Sequence, residues 1–468
     1  MNYRPSAPLE ALVALLGMLA AAALIASSGL LTRAALALTT LFVALIAVPD
    51  LLDLVVRLYR IARPGRSPID GGSTPAPGDV PKFRASRKRR HVKPWAIVLS
   101  VHDLVGDLQR FIEAFDEYRD VVWVIDDRSN DATAELLESA GFRCLRSRIN
   151  RKKPGALQVL LRMLPSEIET VLVMDPDTRI LSERRMLETL IFDFQHSGMA
   201  AVTPRIDVRK DGLVASLQRL EYFFSLGIGR KSLGRLAVCS GVAFYRRGDL
   251  AEALGDHSLS VYAEDLETSL ILLGRGGGCY YDERAHFETE GMTTWRGLFS
   301  QRVGWSYGLL RVYVERLADV RRLSARGGFA FYQYAIYLGG LCILAQPLRL
   351  LLLGLVGFGF LAAVAELAGL APSSTGLGGA SQFLIFYGVY LLIALLGWAV
   401  AVPRGERRAL VAMVPLYGIY ALFLIVPNTV GYLNWIWLRV AGRRLYNDHY
   451  EAEESLRLGR HRLRRVEP

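Results

Sequence analysis

Cysteine is scarce: there are four in 468 residues, Cys144, Cys239, Cys279 and Cys342, with no CxxC pair and no metal-ligand spacing. That excludes a disulfide-built scaffold and a zinc ribbon, and it reads as ordinary buried thiols in a reducing compartment. No internal repeat is visible, so a solenoid or an array is excluded. Acidic residues are outnumbered, 45 Asp and Glu against 56 Lys and Arg, a net charge of +11. Charge as a whole is not scarce: 22% of residues are charged, close to the soluble average of about 25%, which argues against a membrane-only transporter. The chain is nevertheless 52% hydrophobic with a mean hydropathy of +0.25, which excludes disorder and exceeds what a soluble domain usually carries. A chain divided between membrane segments and a water-facing domain satisfies both figures.

The basic excess is localised. Arg57–Lys93 holds eleven Lys and Arg against two Asp, and Arg439–Pro468 holds eight Arg against five acids. The rest of the chain is nearly neutral. The run Arg84–Lys93 (RASRKRRHVK) would suit nucleic acid by composition, but both basic segments adjoin apolar spans. That is the positive-inside pattern of cytoplasmic flanks, reinforced by anionic lipid, and no nucleic-acid partner is expected.

Ala11–Leu31 is an uncharged apolar run of bilayer-crossing length, and Ala34–Val48 continues it after Arg33. The expectation is an N-terminal transmembrane hairpin over residues 1–56 with both ends in the cytoplasm. A cleaved signal peptide is disfavoured by the length of the first run and by the second span behind it. A basic cytoplasmic linker follows over residues 57–93, containing the Pro/Gly-rich stretch Ile69–Lys82. Residues 323–438 supply four further candidate spans, Phe329–Gln346, Leu350–Leu370, Gln382–Val402 and Leu410–Leu438. Glu366 in the second span, and Arg404, Arg407 and Arg408 after the third, leave open that some of these segments are interfacial. Residues 439–468 form a basic cytoplasmic tail. The expected location is the inner (cytoplasmic) membrane, multi-pass, with the domain at 94–322 in the cytoplasm.

Within 94–322 the pattern changes. Short runs rich in Val and Ile (Ala96–Val101, Val121–Ile125, Arg143–Leu145, Val171–Met174, Met199–Val202) alternate with amphipathic stretches (Leu108–Phe115, Asp131–Ala140, Gly155–Leu164, Ser182–Phe194). Buried strands and intervening helices predict an α/β domain with a doubly wound, mostly parallel sheet, flanked by transmembrane α-helices. Such sheets bind ligands at the carboxyl ends of their strands.

Carboxylates stand at those positions: Asp126 and Asp127 after the second strand, Asp175 and Asp177 after the fourth, and Glu264 and Asp265 at the start of a later helix. Taken singly they have local explanations. Asp126, Asp127, Asp131 or Asp265 would cap a helix, and Asp175 and Asp177 would bracket a turn at Pro176. All three groups in one domain are harder to explain that way. Two carboxylates one residue apart suit a divalent cation whose remaining ligands are phosphate oxygens, which predicts a diphosphate ligand. Lys153, ahead of the helix opening near Gly155, adds a phosphate contact, and the helix offers its amides.

The elements IDDRSNDAT (125–133), KPGAL (153–157), VLVMDPDT (171–178), SGVAFYRR (240–247), AEDLE (263–267) and QRVGW (301–305) resemble, in order and spacing, the membrane-bound processive-type family 2 glycosyltransferases, such as the cellulose, hyaluronan and chitin synthases. The resemblance covers about Trp95–Arg322. It implies a GT-A fold and a nucleotide-sugar donor, usually a UDP-sugar, bound by Asp126, Asp127, Lys153, Asp175 and Arg302. It implies Mg2+ or Mn2+ on Asp175 and Asp177, Asp265 as general base, and Glu264, Gln301 and Trp305 at the acceptor end. The sequence departs from the family's Q-x-x-R-W at Gly304, for which Arg302 or Arg296 is the candidate substitute, and at the first strand's end, His102-Asp103.

The leading expectation is an inverting, metal-dependent hexosyltransferase that extends a polysaccharide and passes it through its own membrane segments. The alternative is a glycolipid synthase that adds one sugar to a membrane lipid, a reading that Gly304 favours. A non-catalytic binding protein is the third, disfavoured because all three acidic sites are present. An accessory subunit is left open.

Overall fold

The computed structural model describes residues 48–62, 92–368 and 376–442. The expected N-terminal hairpin up to residue 47, most of the linker and the basic tail from residue 443 lie outside the described residues.

The first described helix, α1 (residues 48–62), turns its charges inward. Asp53, Arg57 and Arg60 are buried while Val48, Leu52, Val55 and Tyr59 are exposed, a helical spacing with the reverse polarity of a helix bathed in water. Arg57 bonds Asp53 at 2.8 Å, Gln333 at 2.9 Å and Ser232 at 3.1 Å. These contacts fasten α1 to both halves of the molecule.

The sheet has the order β3-β2-β1-β4-β7-β6-β8-β5. It comprises β1 (Trp95–Val101), β2 (Val122–Asp126), β3 (Arg143–Arg146), β4 (Thr170–Val173), β5 (Arg179–Ile180), β6 (Ala201–Val208), β7 (Ala243–Arg246) and β8 (Cys279–Thr289). Alternation along the strands sends side chains to two different cores. Ala96, Val98, Val171 and Val173 face one layer, whereas Ile97, Leu99, Leu172 and Met174 face the other. Each fully buried aliphatic side chain contributes roughly 1.5–3 kcal/mol of transfer free energy.

The first layer is built by α4 (Lys152–Met163), α7 (Arg247–Asp256) and α8 (Glu264–Gly274), the second by α2 (Leu108–Phe115), α3 (Thr133–Ser139) and α5 (Arg184–His196). The expectation of a mostly parallel sheet holds for β1 with β2 and β4, β2 with β3, and β6 with β8. β7 corrects it in part, since it runs antiparallel to both β4 and β6, and β5 runs antiparallel to β8. The sheet is therefore mixed. A register shift between Pro204 and Arg205 interrupts β6 where proline has no N–H to donate.

After β6 come α6 (Leu213–Phe224) and a π-helical turn, Ser225–Arg230. After β8, α9 (Trp295–Glu315) is capped by the Thr294 hydroxyl, which accepts the Gly297 N–H at 3.1 Å. Then follow α10 (Leu317–Ser324), α11 (Gly328–Phe331) running into a π-helix (Tyr332–Leu344), α12 (Gln346–Leu367), α13 (Gly376–Ala401) and α14 (Met413–Val440). Among the described residues two helices are long and apolar enough to cross a membrane, Gly328–Leu351 and Met413–Val440, with Tyr387–Ala401 a shorter apolar helix. These two cover the first and fourth of the C-terminal spans expected, while α12 and α13 lie over the second and third.

Candidate active site

Three loops at the carboxyl ends of β1, β2 and β4 meet the heads of α4 and α8. At β2, Asp126 and Asp127 are both buried. Asp126 accepts the Ser129 N–H at 3.0 Å and the Ser129 hydroxyl, so it braces its own turn, in which Arg128 is left-handed at φ 60°. Asp127 accepts the Arg151 N–H at 2.7 Å, tying the β2 turn to the start of α4. Burial pushes the Asp127 carboxyl up to about 6, against the pull of the Arg151 and Lys152 amides. The unusual first-strand end completes this corner. Asp103, left-handed at φ 52°, accepts the Asn130 N–H at 2.6 Å, and its own N–H donates to the Ser129 hydroxyl at 2.9 Å.

Lys153 joins the second and third acidic groups. Its ammonium lies 2.6 Å from Asp175 and 3.1 Å from Glu264. Burial disfavours that charge, but Asp175 and Glu264 outweigh it and hold the lysine above its ordinary value. Glu264 and Asp265 open α8, where the helix dipole favours negative charge. Ala263 just before them is left-handed at φ 60°, which turns the chain sharply into the helix. Burial raises Asp265 above the usual aspartate range, opposed by Arg230 and by the Leu266 N–H, which donates to it at 2.8 Å. Glu264 is raised by burial too, opposed by Lys153.

Asp177 is the exposed member of the DxD pair, and desolvation by the surrounding protein, then Asp175, push its carboxyl up to about 6. Gly241 faces this turn: a Cβ there would meet the Asp175 Oδ2 at 2.6 Å, so only glycine leaves the carboxylate its room. Among the described residues no group of three or more His, Cys, Asp or Glu gathers round a metal position. A cation that takes one or two protein carboxylates and completes its shell from a phosphate ligand would need no more than Asp175 and Asp177 from the protein.

Arg302 stands apart from these residues. It forms a two-point ion pair with Glu221 of α6, at 2.8 and 2.6 Å, and approaches the Tyr420 hydroxyl of α14 at 3.3 Å. Its guanidinium lies 4.2 Å from the centre of the Trp305 ring, which is partly exposed. Gln301 buries its Oε1 without a hydrogen-bond partner. Arg296 is exposed in the first turn of α9. Glu221 escaped the sequence reading because nothing local marks it; its partner is 81 residues away. The departure at Gly304 has a steric cause. A Cβ there would strike the Tyr262 ring at 2.4 Å, and at Gly308 one turn on it would strike the Tyr262 carbonyl at 2.6 Å. A separate cavity of about 680 Å³, lined by Lys93, Thr170, Arg246 and Arg247 among others, lies where β4 begins and antiparallel β7 ends, at the opposite end of β4 from Asp175.

Residues 97–254 match the family model described as glycosyl transferase family 2. The match lies within the sheet-bearing region, whose fold is GT-A-like. It resembles the beta-monoglucosyldiacylglycerol synthases of Trichormus variabilis and Nostoc sp., each 24% identical over 208 residues, 42% of this chain and 43% of theirs. The matched region therefore spans less than half the length of these curated relatives. In fold it is similar to a mannosyltransferase from Pyrobaculum calidifontis solved with GDP-Man and Mn2+, with a TM-score of 0.51 and 16% identity over 85% of this chain and 99% of that one.

Proposed function

We propose that this protein is an inverting, divalent-cation-dependent hexosyltransferase that moves a single sugar from a nucleotide-sugar to a membrane-lipid acceptor. The observation that carries it is Lys153, which ties the Asp175 turn to the Glu264-Asp265 helix head at 2.6 and 3.1 Å. One lysine thereby holds the carboxylates suited to a diphosphate beside a carboxylate suited to take a proton.

In this reading Asp127 and its turn receive the nucleoside, and Asp175 and Asp177 hold Mg2+ or Mn2+. When bound, that cation offsets the charge growing on the leaving diphosphate. Asp265 accepts the proton of the acceptor hydroxyl as it attacks the anomeric carbon from the face opposite the diphosphate, a contribution of about 10²–10⁴-fold. One displacement inverts the configuration, and no carboxylate nucleophile is needed. Gln301 and Trp305 orient the acceptor, Trp305 through its exposed face.

Two facts support a lipid acceptor: the curated relatives carry the name of glycolipid synthases, and apolar helices of bilayer-crossing length pack behind the domain. The outward apolar stripe of α1 also suits association with a membrane. The second reading, polymer synthesis, is favoured by the Gln301–Trp305 segment lying on a helix packed along α14.

The test is to incubate membranes containing the protein with labelled UDP- and GDP-sugars and to size the product. A lipid carrying one sugar is expected. A ladder of long chains would replace this reading with the second, and no transfer from any nucleotide-sugar would remove both.

A further inference from the structure

The proposed cleft has more anionic than cationic groups available to a ligand. Asp175, Asp177, Glu264 and Asp265 meet in it, and a nucleoside diphosphate brings further negative charge. On the Asp175–Asp265 side of the cleft, Lys153 is paired with Asp175 and Glu264, Arg205 with Asp207, Lys231 with Glu283 and Arg302 with Glu221, whereas Arg151 and Lys152 stand at the Asp127 turn. Position 304 of α9 adds none, because it is glycine and Tyr262 fills the space over it.

Arg230 is different. It ends the π-helical turn Ser225–Arg230, a geometry often found at functional sites. Its one side-chain hydrogen bond among the described residues is a long one, 3.5 Å from Nη2 to the Cys239 carbonyl. No carboxylate of the described residues lies within ion-pair distance of it.

Cys239 places this guanidinium in the site. Its N–H donates to the Ser269 hydroxyl at 2.9 Å, and that hydroxyl donates to the Asp265 carbonyl at 2.6 Å. Immediately after Cys239, the Ser240-Gly241 turn runs past Asp175. Arg230 thus sits on the segment linking the head of α8 to the DxD turn, within electrostatic reach of Asp265.

The turn beneath it is fixed from the other side. The Gly229 carbonyl accepts the Ser232 hydroxyl at 2.7 Å and Arg57 at 3.4 Å, and Arg60 donates to the Ser232 carbonyl at 2.9 Å. The backbone is held by α1 while the side chain is left available. A half-buried guanidinium without an anion is costly, and its fork of donors matches phosphate oxygens.

We propose that Arg230 is the residue of this chain that binds the leaving nucleoside diphosphate. The proposal rests on the nucleotide-sugar reading above. It assigns Arg230 a contact with the phosphates, with no covalent step of its own.

The experiment is calorimetric titration of the full chain, in detergent with Mn2+, using UDP, GDP and the corresponding free nucleosides. The wild-type protein is expected to bind one of the diphosphates. Arg230→Gln should weaken that diphosphate at least about tenfold, the scale of one charge-assisted contact, and leave the nucleoside affinity unchanged. Arg230→Lys, keeping the charge but losing the fork, should fall between the two. Diphosphate affinity within about twofold of wild type, or equal weakening of nucleoside and diphosphate, overturns the assignment. If Arg230→Gln does not fold, Arg230→Lys decides: unaltered diphosphate affinity rejects the proposal. A wild-type protein that binds neither UDP nor GDP instead refutes the nucleotide-sugar reading on which it stands.

Discussion

Tyr262 occupies the space that a side chain at position 304 would need: its ring lies 2.4 Å from where a Cβ on Gly304 would stand. The ring is also braced edge-on against Tyr307, with centroids 5.9 Å apart, and the Tyr262 carbonyl accepts Arg311 at 3.0 Å. The tyrosine cannot retreat without breaking the turn that aims Ala263, Glu264 and Asp265.

Restoring the arginine of the Q-x-x-R-W pattern should therefore harm the protein. Gly304→Arg overpacks a buried contact and should cost about 1–3 kcal/mol, with no gain in nucleotide affinity. Tyr262→Ala made alongside it should recover part of that loss. Thermal unfolding of the two single variants and the double variant measures the coupling. Additive losses would show that the contact is not the reason for glycine.

Lys153 is the next test. Lys153→Met leaves Asp175 and Glu264 facing each other without a counter-charge. The stability loss should be about 1–2 kcal/mol, less than for a fully buried pair because Asp175 is partly open to water. Turnover should fall far more, by on the order of 10²-fold, because both turns lose their common anchor. Steady-state rates beside denaturant midpoints separate the two effects, and equal modest losses in both would make Lys153 purely structural.

Asp177 gives a pH-dependent prediction. Its carboxyl titrates at about 6 in the folded chain and near 3.9 when unfolded. The folded state thus prefers the proton, so this group's contribution to stability is complete below about 3.9 and is lost as pH rises through about 6. Asp177→Asn should stabilise the fold slightly at pH 8 and raise Tm, the gain being less than about 1 kcal/mol because the group is exposed and vanishing in acid. It should also abolish the Mn2+ response. In the wild-type protein, Mn2+ affinity should weaken as pH falls through about 6. A Tm gain that is the same at both pH values would disprove the titration.

What the sequence made legible follows from what is local. The alternating Val and Ile residues of β1, β2 and β4 announce strands buried on both faces, and the acids just beyond them sit where the sheet's topology puts a ligand. Long-range pairing leaves no such trace. The antiparallel insertion of β7 depends on partners 76 residues before it, as in Arg246 opposite Thr170. The same holds for the Glu221–Arg302 ion pair, where an arginine placed by motif near the nucleotide is held by a glutamate of α6. Gly304 was visible as a departure, but its cause was not, because Tyr262 meets α9 only through the left-handed turn at Ala263.

Asp265 carries the sharpest prediction. Its carboxyl is raised above the ordinary aspartate range, chiefly by burial. A general base must be ionised, so kcat should fall as pH is lowered through that raised value, giving an acid limb above the usual carboxylate range. Asp265→Asn keeps the shape of the side chain and removes the proton acceptor. It should reduce kcat by about 10²–10⁴-fold and leave nucleoside diphosphate affinity nearly unaltered, since Lys153 still holds Asp175 and Glu264 in place. Asp265→Glu should keep the acid limb with a lower plateau. The pH–rate profile with titration of the nucleotide checks all three points. Retained turnover in Asp265→Asn would move the base elsewhere, and loss of nucleotide affinity in step with kcat would make Asp265 a residue of the donor site.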